Sequence, residues 1–464
     1  MSGIFGVLTK DDCREDLYYG TDYHSHLGTQ FAGLAVFDKE IVRKIHDIKG
    51  SQFKAKFYAD YKLMPGQKGI GVISARDEQP ICVHSKFGAF ALVTNGFIEN
   101  SKDLADELYR QGQSFSEVTD GSVNETELVA KLIIQGKDIV DGIEKMFVKI
   151  HGSCSLLLLT KDGIYAARDR LGYSPLTVGE KPGSLAVTTE TSAFYNLGYQ
   201  SKKYIQPGEI IFIGKNGIKS ARKGASANQI CSFLWIYTGF PASSYEGINV
   251  EISREKCGRC LAKGDPVKVD MACGIPDSGT AHAVGYAMGS GVPFRRPLIK
   301  YTPGFDRSYT PVLQERRDLI ARMKLIPIPE MIKGKKIVFC DDSIVRGTQL
   351  KNYTIQKLKD CGSKEIHLRI ACPPLMFPCK FNFSTRSLTE LAARRAIKAI
   401  ESKDLQDVAS YIDEASPKYK KMVEWIRDDL GVDTLKYQKL QDMIEAIGLP
   451  EAKLCTYCWT GREP

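Results

Sequence analysis

The sequence predicts two domains of different class: an α+β domain over residues 1–228, then an α/β domain with a parallel sheet over 229–464. Three observations predict it. The chain has 464 residues, more than one ordinary core serves. Its first half carries short apolar runs separated by glycine-rich turns, the pattern of strands with few helices. Its second half alternates strand-like and helix-like runs, the pattern of a doubly wound parallel sheet.

In chain order, strands are expected at 70–74, 89–93, 154–160 and 209–213, and helical spacing appears at 101–111 and 125–135. The Lys-, Gly-, Ser- and Ala-rich stretch 219–229 reads as a linker. After it, a strand at 268–274 precedes a helix at 280–290, a strand at 336–340 precedes a helix at 348–360, and a further strand follows at 365–371. The segment 388–447 reads as mostly helical.

Composition narrows the function. Hydrophobic residues make up 43% and charged residues 26%, which is globular rather than disordered. The net charge of +9, from 64 Lys and Arg against 55 Asp and Glu, suits an anionic small substrate and is too diffuse for nucleic acid. No apolar run approaches the roughly 20 residues of a membrane helix, and the first residues lack a signal peptide's pattern. The expected compartment is the cytoplasm, with no membrane partner. The 13 Cys residues are therefore expected as free thiols or metal ligands rather than disulfides.

The most informative run is Ile337 to Thr348. Four apolar residues make a buried strand. Asp341 and Asp342 sit at its C-terminal end, where open α/β sheets bind ligands. A loop of Ser343, Val345, Arg346, Gly347 and Thr348 then opens a helix whose N–H groups can hold a phosphate. The carboxylates can hold ribose hydroxyls and hydrated Mg²⁺. A bare acidic pair would more often cap a helix; the whole run is more specific. It resembles the 5-phosphoribosyl 1-diphosphate (PRPP) signature of type I phosphoribosyltransferases. A second strand-loop-helix at 269–287 offers Ser278 near the metal and diphosphate, with a helix cap as its plainer role. Lys300, Arg307, Gln314, Arg316 and Arg317 lie on a Pro- and Gly-containing stretch that reads as a basic lid over the diphosphate.

Further runs extend the resemblance over nearly the whole chain. They are Gly3-Ile4-Phe5-Gly6-Val7, Asn95-Gly96-Phe97-Ile98-Glu99-Asn100, Ala167 to Leu176, Glu190, Gln206 to Glu209 and Arg369 to Pro374. Together they resemble the glutamine phosphoribosylpyrophosphate amidotransferase family. The resemblance implies an N-terminal nucleophile hydrolase (class II glutamine amidotransferase) αββα domain followed by a type I phosphoribosyltransferase domain. It implies that ammonia displaces diphosphate from PRPP to give 5-phosphoribosylamine, the first step of purine synthesis. It also implies Mg²⁺, purine nucleotides as feedback inhibitors, and a homo-oligomer, either tetramer or dimer. In cluster-bearing members four Cys hold a [4Fe–4S] cluster, and the matching positions here are Cys231, Cys379, Cys455 and Cys458. The pair Cys257 and Cys260 offers a competing zinc reading but lies in a helical pattern far from Cys455. Cys154, Cys340 and Cys372 fall in apolar strands and read as core.

The first half departs from that pattern. The family's N-terminal Cys nucleophile is replaced by Ser2, which removal of Met1 would leave with a free amine as its own base. The oxyanion pair Asn95 and Gly96 remains. The family's His-Arg-Gly-Gln-Glu-Ser reads His26-Leu27-Gly28-Thr29-Gln30-Phe31, the Arg expected on the strand 71–75 is displaced to Arg76, and the Asp that meets the glutamine amine is Glu125. Three readings follow: a transferase fed by ammonia with a degenerate glutaminase domain, a Ser-nucleophile amidase of altered substrate, or a non-catalytic regulator that binds PRPP or nucleotides. The first accounts best for an intact transferase motif beside several changed glutaminase positions.

Overall fold

A computed structural model describes residues 2–119, 121–225, 228–301, 323–382 and 387–463. The chain divides into two compact units. One comprises Met1–Cys231 with Ala242–Glu246 and Lys380–Ser384; the other comprises Ser232–Pro241, Gly247–Cys379 and Thr385–Pro464.

The first unit has four layers. A seven-stranded antiparallel sheet runs in the order Gln200–Tyr204, Thr177–Lys181, Ser184–Thr188, Gly3–Thr9, Lys68–Ser74, Phe31–Phe37, Ile41–Asp47. A six-stranded antiparallel sheet runs in the order Gly217–Arg222, Ile210–Gly214, Gly163–Ala167, Gly152–Thr160, Gly88–Ile98, Ile81–Ser85. The run Leu156-Leu157-Leu158-Leu159 shows how the layers form. Successive side chains in a strand point to opposite faces. Leu157 and Leu159 therefore meet Ile4, Val72 and Val93 between the sheets. Leu156 and Leu158 meet Leu128, Ile133 and Met146 of the covering helices Glu125–Ile134 and Ile139–Lys149. On the far side, Phe5, Val7 and Leu34 pack with Leu17, Tyr18 and Phe53 from helices Arg14–Asp22 and Phe53–Phe57.

The expected linker is corrected at its start. Residues 217–222 form an edge strand paired with Ile210–Gly214, not a linker. An edge strand with one solvated face is rich in Lys and Ser for the same reason a linker is, so composition alone does not separate them.

The second unit is an open sheet of four parallel strands in the order Met271–Gly274, Lys336–Asp341, Glu365–Ile370, Thr434–Tyr437. Ala272 lies beside Val338, Phe339 beside Leu368, and Leu368 beside Leu435. Helices Val250–Ala262 and Thr280–Ser290 pack together through glycine. A Cβ on Gly258 would lie 1.9 Å from the His282 carbonyl oxygen, and one on Gly285 would lie 1.9 Å from that of Glu255. The expected helical segment 388–447 does hold helices Ala392–Glu401, Pro417–Leu430 and Leu440–Ile447. It also supplies the edge strand Thr434–Tyr437, which four residues between helices do not announce in sequence.

Candidate functional site

The first unit gathers its polar side chains around Ser2. This residue sits at the head of the strand Gly3–Thr9, in the middle of the seven-stranded sheet, and is 8% exposed. Its backbone N–H donates to Asn95 Oδ1 at 3.1 Å, and its hydroxyl accepts from the Ala75 N–H at 3.1 Å. Asn95 and Gly96 come from the strand Gly88–Ile98 of the other sheet. Gly96 has φ +153, and a Cβ there would stand 2.1 Å from the Ser153 carbonyl oxygen, so no larger residue fits. The structure thus brings Ser2, Asn95 and Gly96 together around one cleft.

Ser2, Ser74 to Asp77, Gln79, Thr94, Gly96 to Ile98, Glu125 and Cys154 line that cleft, whose cavity volume is about 30 Å³. Glu125 opens the helix Glu125–Ile134, capped by Asn124, whose side chain accepts from the N–H groups of Thr126 and Glu127. A carboxylate in the first turn suits the helix dipole. Its Oε1 accepts from Arg76 Nη1 at 2.8 Å, its Oε2 accepts from the Ile98 N–H at 3.3 Å, and its own N–H donates to Asp77 Oδ2 at 3.0 Å. Arg76 lies just past the strand Lys68–Ser74, so its guanidinium turns toward Glu125. The thiol of Cys154 is held protonated, its pKa raised by burial and by the nearby Asp169 and Glu125 carboxylates.

Sequence reasoning missed the Glu190 group. Buried Glu190 accepts from Tyr245 OH at 2.7 Å and from Ser243 Oγ, and its Oε1 meets His26 Nε2 at 3.1 Å. Burial pushes its carboxyl up, but His26 and the two hydroxyl donors outweigh that and hold it below the usual carboxylate range. His26 and Glu190 were each visible in sequence; their meeting across 164 positions was not. The run Ala167 to Leu176 is framework. Asp169 accepts four backbone N–H bonds from Leu171, Gly172, Tyr173 and Ser174, and Arg168 reaches the carbonyl oxygens of Ile205 and Gly172.

In the second unit, the strand Lys336–Asp341 delivers Asp341 and Asp342 to the C-terminal edge of the sheet. Ser278, from the loop after the neighbouring strand, donates to Asp341 Oδ1 at 3.4 Å. The Asp342 N–H reaches the same oxygen at 3.0 Å, and Ser343 Oγ donates to Asp342 Oδ1 at 2.6 Å. Gly279 lets the two loops touch: a Cβ there would lie 2.1 Å from the Cys340 carbonyl oxygen. Burial first, and mutual repulsion second, push Asp341 well above its ordinary pKa; burial also pushes Asp342 up. Gly347 turns the loop with φ +75, and a π-helical turn Leu350–Ile355 continues into the helix Gln356–Asp360.

The other expected residues lie as follows. The Val345 carbonyl oxygen accepts from the Ala392 N–H at 2.8 Å, Arg346 pairs with Glu390 at 2.5 Å, and Thr348 is exposed at the helix start. Lys300 Nζ meets Asp277 Oδ2 at 2.7 Å, in the Ser278 loop. Arg307, Gln314, Arg316 and Arg317 lie outside the described residues.

Cys379, Cys455 and Cys458 are half-buried in the second unit, and the N–H groups of Met376 and Phe377 donate to the Cys458 carbonyl oxygen at 2.9 and 3.1 Å. Cys231 belongs to the first unit. Among the described residues, no group of three or more His, Cys, Asp and Glu is close enough to hold a metal ion. Cys257 and Cys260 lie in the helix Val250–Ala262, and burial pushes the Cys257 thiol up to about 12, which suits core better than metal ligation. Cys154, Cys340 and Cys372 are buried.

Fold and sites together define a class: a nucleophile-hydrolase-like αββα unit and a phosphoribosyltransferase-like parallel-sheet unit in one chain. Known proteins narrow it. A glutamine amidotransferase domain family matches residues 68–196. Amidophosphoribosyltransferases of Methanocaldococcus jannaschii and Archaeoglobus fulgidus are each 30% identical, over all of this chain and 98% of their own length. The solved glutamine PRPP amidotransferase of B. subtilis, complexed with ADP and GMP, superposes with a TM-score of 0.84 at 29% identity, covering 100% of this chain and 97% of that one. The chain belongs to the amidophosphoribosyltransferase family.

Proposed function

We propose that this chain displaces diphosphate from PRPP with ammonia, giving 5-phosphoribosylamine for purine synthesis in the cytoplasm. The observation that carries the reading is the meeting of Asp341, Asp342 and Ser278 at one sheet edge, ahead of a glycine-turned loop and a helix start. The ammonia lone pair forms the new bond to the anomeric carbon, the C–O bond to diphosphate breaks, diphosphate leaves with the electrons of the broken bond, and the new ammonium nitrogen gives up one proton to water. The protein needs to position and to stabilise charge. The Asp341 and Asp342 carboxylates would hold the ribose hydroxyls and, with Ser278, a Mg²⁺ ion. Ser343, Val345, Arg346, Gly347 and Thr348 would enclose the 5-phosphate, and Lys300 with Arg307 would face the diphosphate. Mg²⁺ bound there would neutralise diphosphate charge.

Ser2 beside Asn95 and Gly96 favours a second reading, a Ser amidase of altered substrate, because hydroxyl and oxyanion pair stay assembled. One assay separates the readings. Protein purified without oxygen is given PRPP and Mg²⁺, with ammonium chloride or glutamine in turn. Diphosphate release with ammonia alone supports the transferase. Equal release with glutamine restores a working glutaminase. No release with either leaves a PRPP- or nucleotide-binding regulator.

The resemblance further assigns a [4Fe–4S] cluster to Cys231, Cys379, Cys455 and Cys458. Four thiolates suit such a cluster, whose role would be to tie down the C-terminal residues; the approach of 376–377 to Cys458 supports part of that set. A brown protein with about four iron and four sulfide supports it, and a colourless preparation made without oxygen overturns it. Feedback by purine nucleotides and assembly into a homo-oligomer belong to the same reading, as the ADP and GMP bound to the B. subtilis relative suggest for that enzyme.

A further inference from the structure

The cleft at Ser2 contains two groups that would ordinarily recruit an amino acid, a guanidinium and a carboxylate, and they hold each other. Arg76 Nη1 lies 2.8 Å from Glu125 Oε1, with the two side chains only 25% and 11% exposed. The second carboxylate oxygen of Glu125 is taken by the Ile98 N–H, and the helix start that carries Glu125 is tied to Asp77. The charged side chains lining the cleft are Arg76, Asp77 and Glu125, and the Ser2 amine that removal of Met1 would expose brings their formal sum to zero. The remaining volume, about 30 Å³, is room for only a few waters. A zwitterionic amino acid would have to break the ion pair and find space where little exists. Breaking a half-desolvated pair costs more than breaking an exposed one.

We propose that the Arg76–Glu125 ion pair is a built-in plug that makes this cleft reject free α-amino acids, with Glu125 as the specificity-determining residue. Removing Glu125 then has a distinctive consequence. It frees a positioned guanidinium and opens space beside it, so the cleft should acquire affinity for a carboxylate that also bears a carboxamide.

The test uses the full-length chain and glutaramate, which has glutamine's carboxamide and carboxylate but no amine. Binding is followed by calorimetry without PRPP. The inference rests on the reading of this cleft as an amide site that has lost its substrate. It does not depend on the transfer reaction, so either can fail alone. Wild type should show no saturable binding of glutamine or glutaramate. Glu125→Ala should bind glutaramate saturably, with a dissociation constant roughly ten- to a hundredfold below the highest concentration at which wild type stays unbound, the size of one new charge-assisted hydrogen bond. Glu125→Ala combined with Arg76→Ala should lose that gain, and Arg76→Ala alone should never show it. Glu125→Gln, nearly isosteric, serves if the alanine variant does not fold, and should show a smaller gain. Ordinary saturable binding of glutamine by wild type overturns the proposal, as does a folded Glu125 variant that gains nothing.

Discussion

The cleft at Ser2 and the sheet edge at Asp341 treat charge in opposite ways. In the first, opposite charges meet within the protein: Arg76 is answered by Glu125, and both Glu125 oxygens are occupied. In the second, like charges are left side by side. Asp341 and Asp342 receive hydrogen bonds from Ser278, Ser343 and one backbone N–H, but burial and, after it, repulsion still push Asp341 well above the ordinary range. A site that has answered its own charges is stable and closed. A site that has not is costly when empty. The difference teaches which half of the chain still asks for a ligand.

Four experiments bear on that comparison. The largest effect is expected away from both sites, where Arg369 and Asp265 form a bidentate pair, each side chain 2% exposed. Arg369→Ala leaves a buried carboxylate with only the Tyr286 hydroxyl as its side-chain donor and should cost about 3–5 kcal/mol of stability in urea unfolding. It fixes the scale of a pair that serves only the fold. Next, the double variant Asp341→Asn, Asp342→Asn should lower ammonia-dependent diphosphate release by about 10²–10³-fold, with the fold kept. An unchanged rate would mean that the unanswered charges serve nothing.

Third comes pH. The carboxyl of Asp341 is raised in the folded chain, so its contribution to stability is present at low pH and is lost as pH rises through the raised value. Mg²⁺ takes the ionised form. Its stabilisation should therefore grow with pH, to about 2.7 kcal/mol at a hundredfold excess over its dissociation constant. Thermal melts at mildly acidic and mildly alkaline pH, with and without Mg²⁺, measure it. The smallest effect is Arg76→Ala, which should cost about 1–2 kcal/mol in the same urea assay, more than an exposed pair and less than Arg369–Asp265, because the pair is half-desolvated. A loss as large as that at Arg369 would make Arg76–Glu125 a structural pair and weaken its role in selectivity.

The two sites also differed in how far the sequence revealed them. Asp341, Asp342 and the loop to Thr348 are contiguous, and a strand followed by a polar loop and a helix start fixes their local geometry. The cleft at Ser2 combines residues from positions 2, 74–77, 96–98 and 125. Ser2, Arg76 and Glu125 were visible as departures from a family pattern, but the pairing of Arg76 with Glu125 was not. The edge strand Gly217–Arg222 was hidden because solvation gives an edge strand a linker's composition.

By itself, then, the sequence determined what local order can encode: apolar alternation that makes strands, the polar loop after Asp342, and thiols buried in apolar runs. Tertiary structure decided what depends on register between distant strands and helices. Ser278 meets Asp341 across 63 positions because two parallel strands end side by side, and His26 meets Glu190 across 164. Arg76 meets Glu125 across 49 because the end of one sheet's strand faces the first turn of a helix packed on the other sheet. The physical reason is that a strand fixes which face a side chain takes, while only packing fixes which charge waits opposite it.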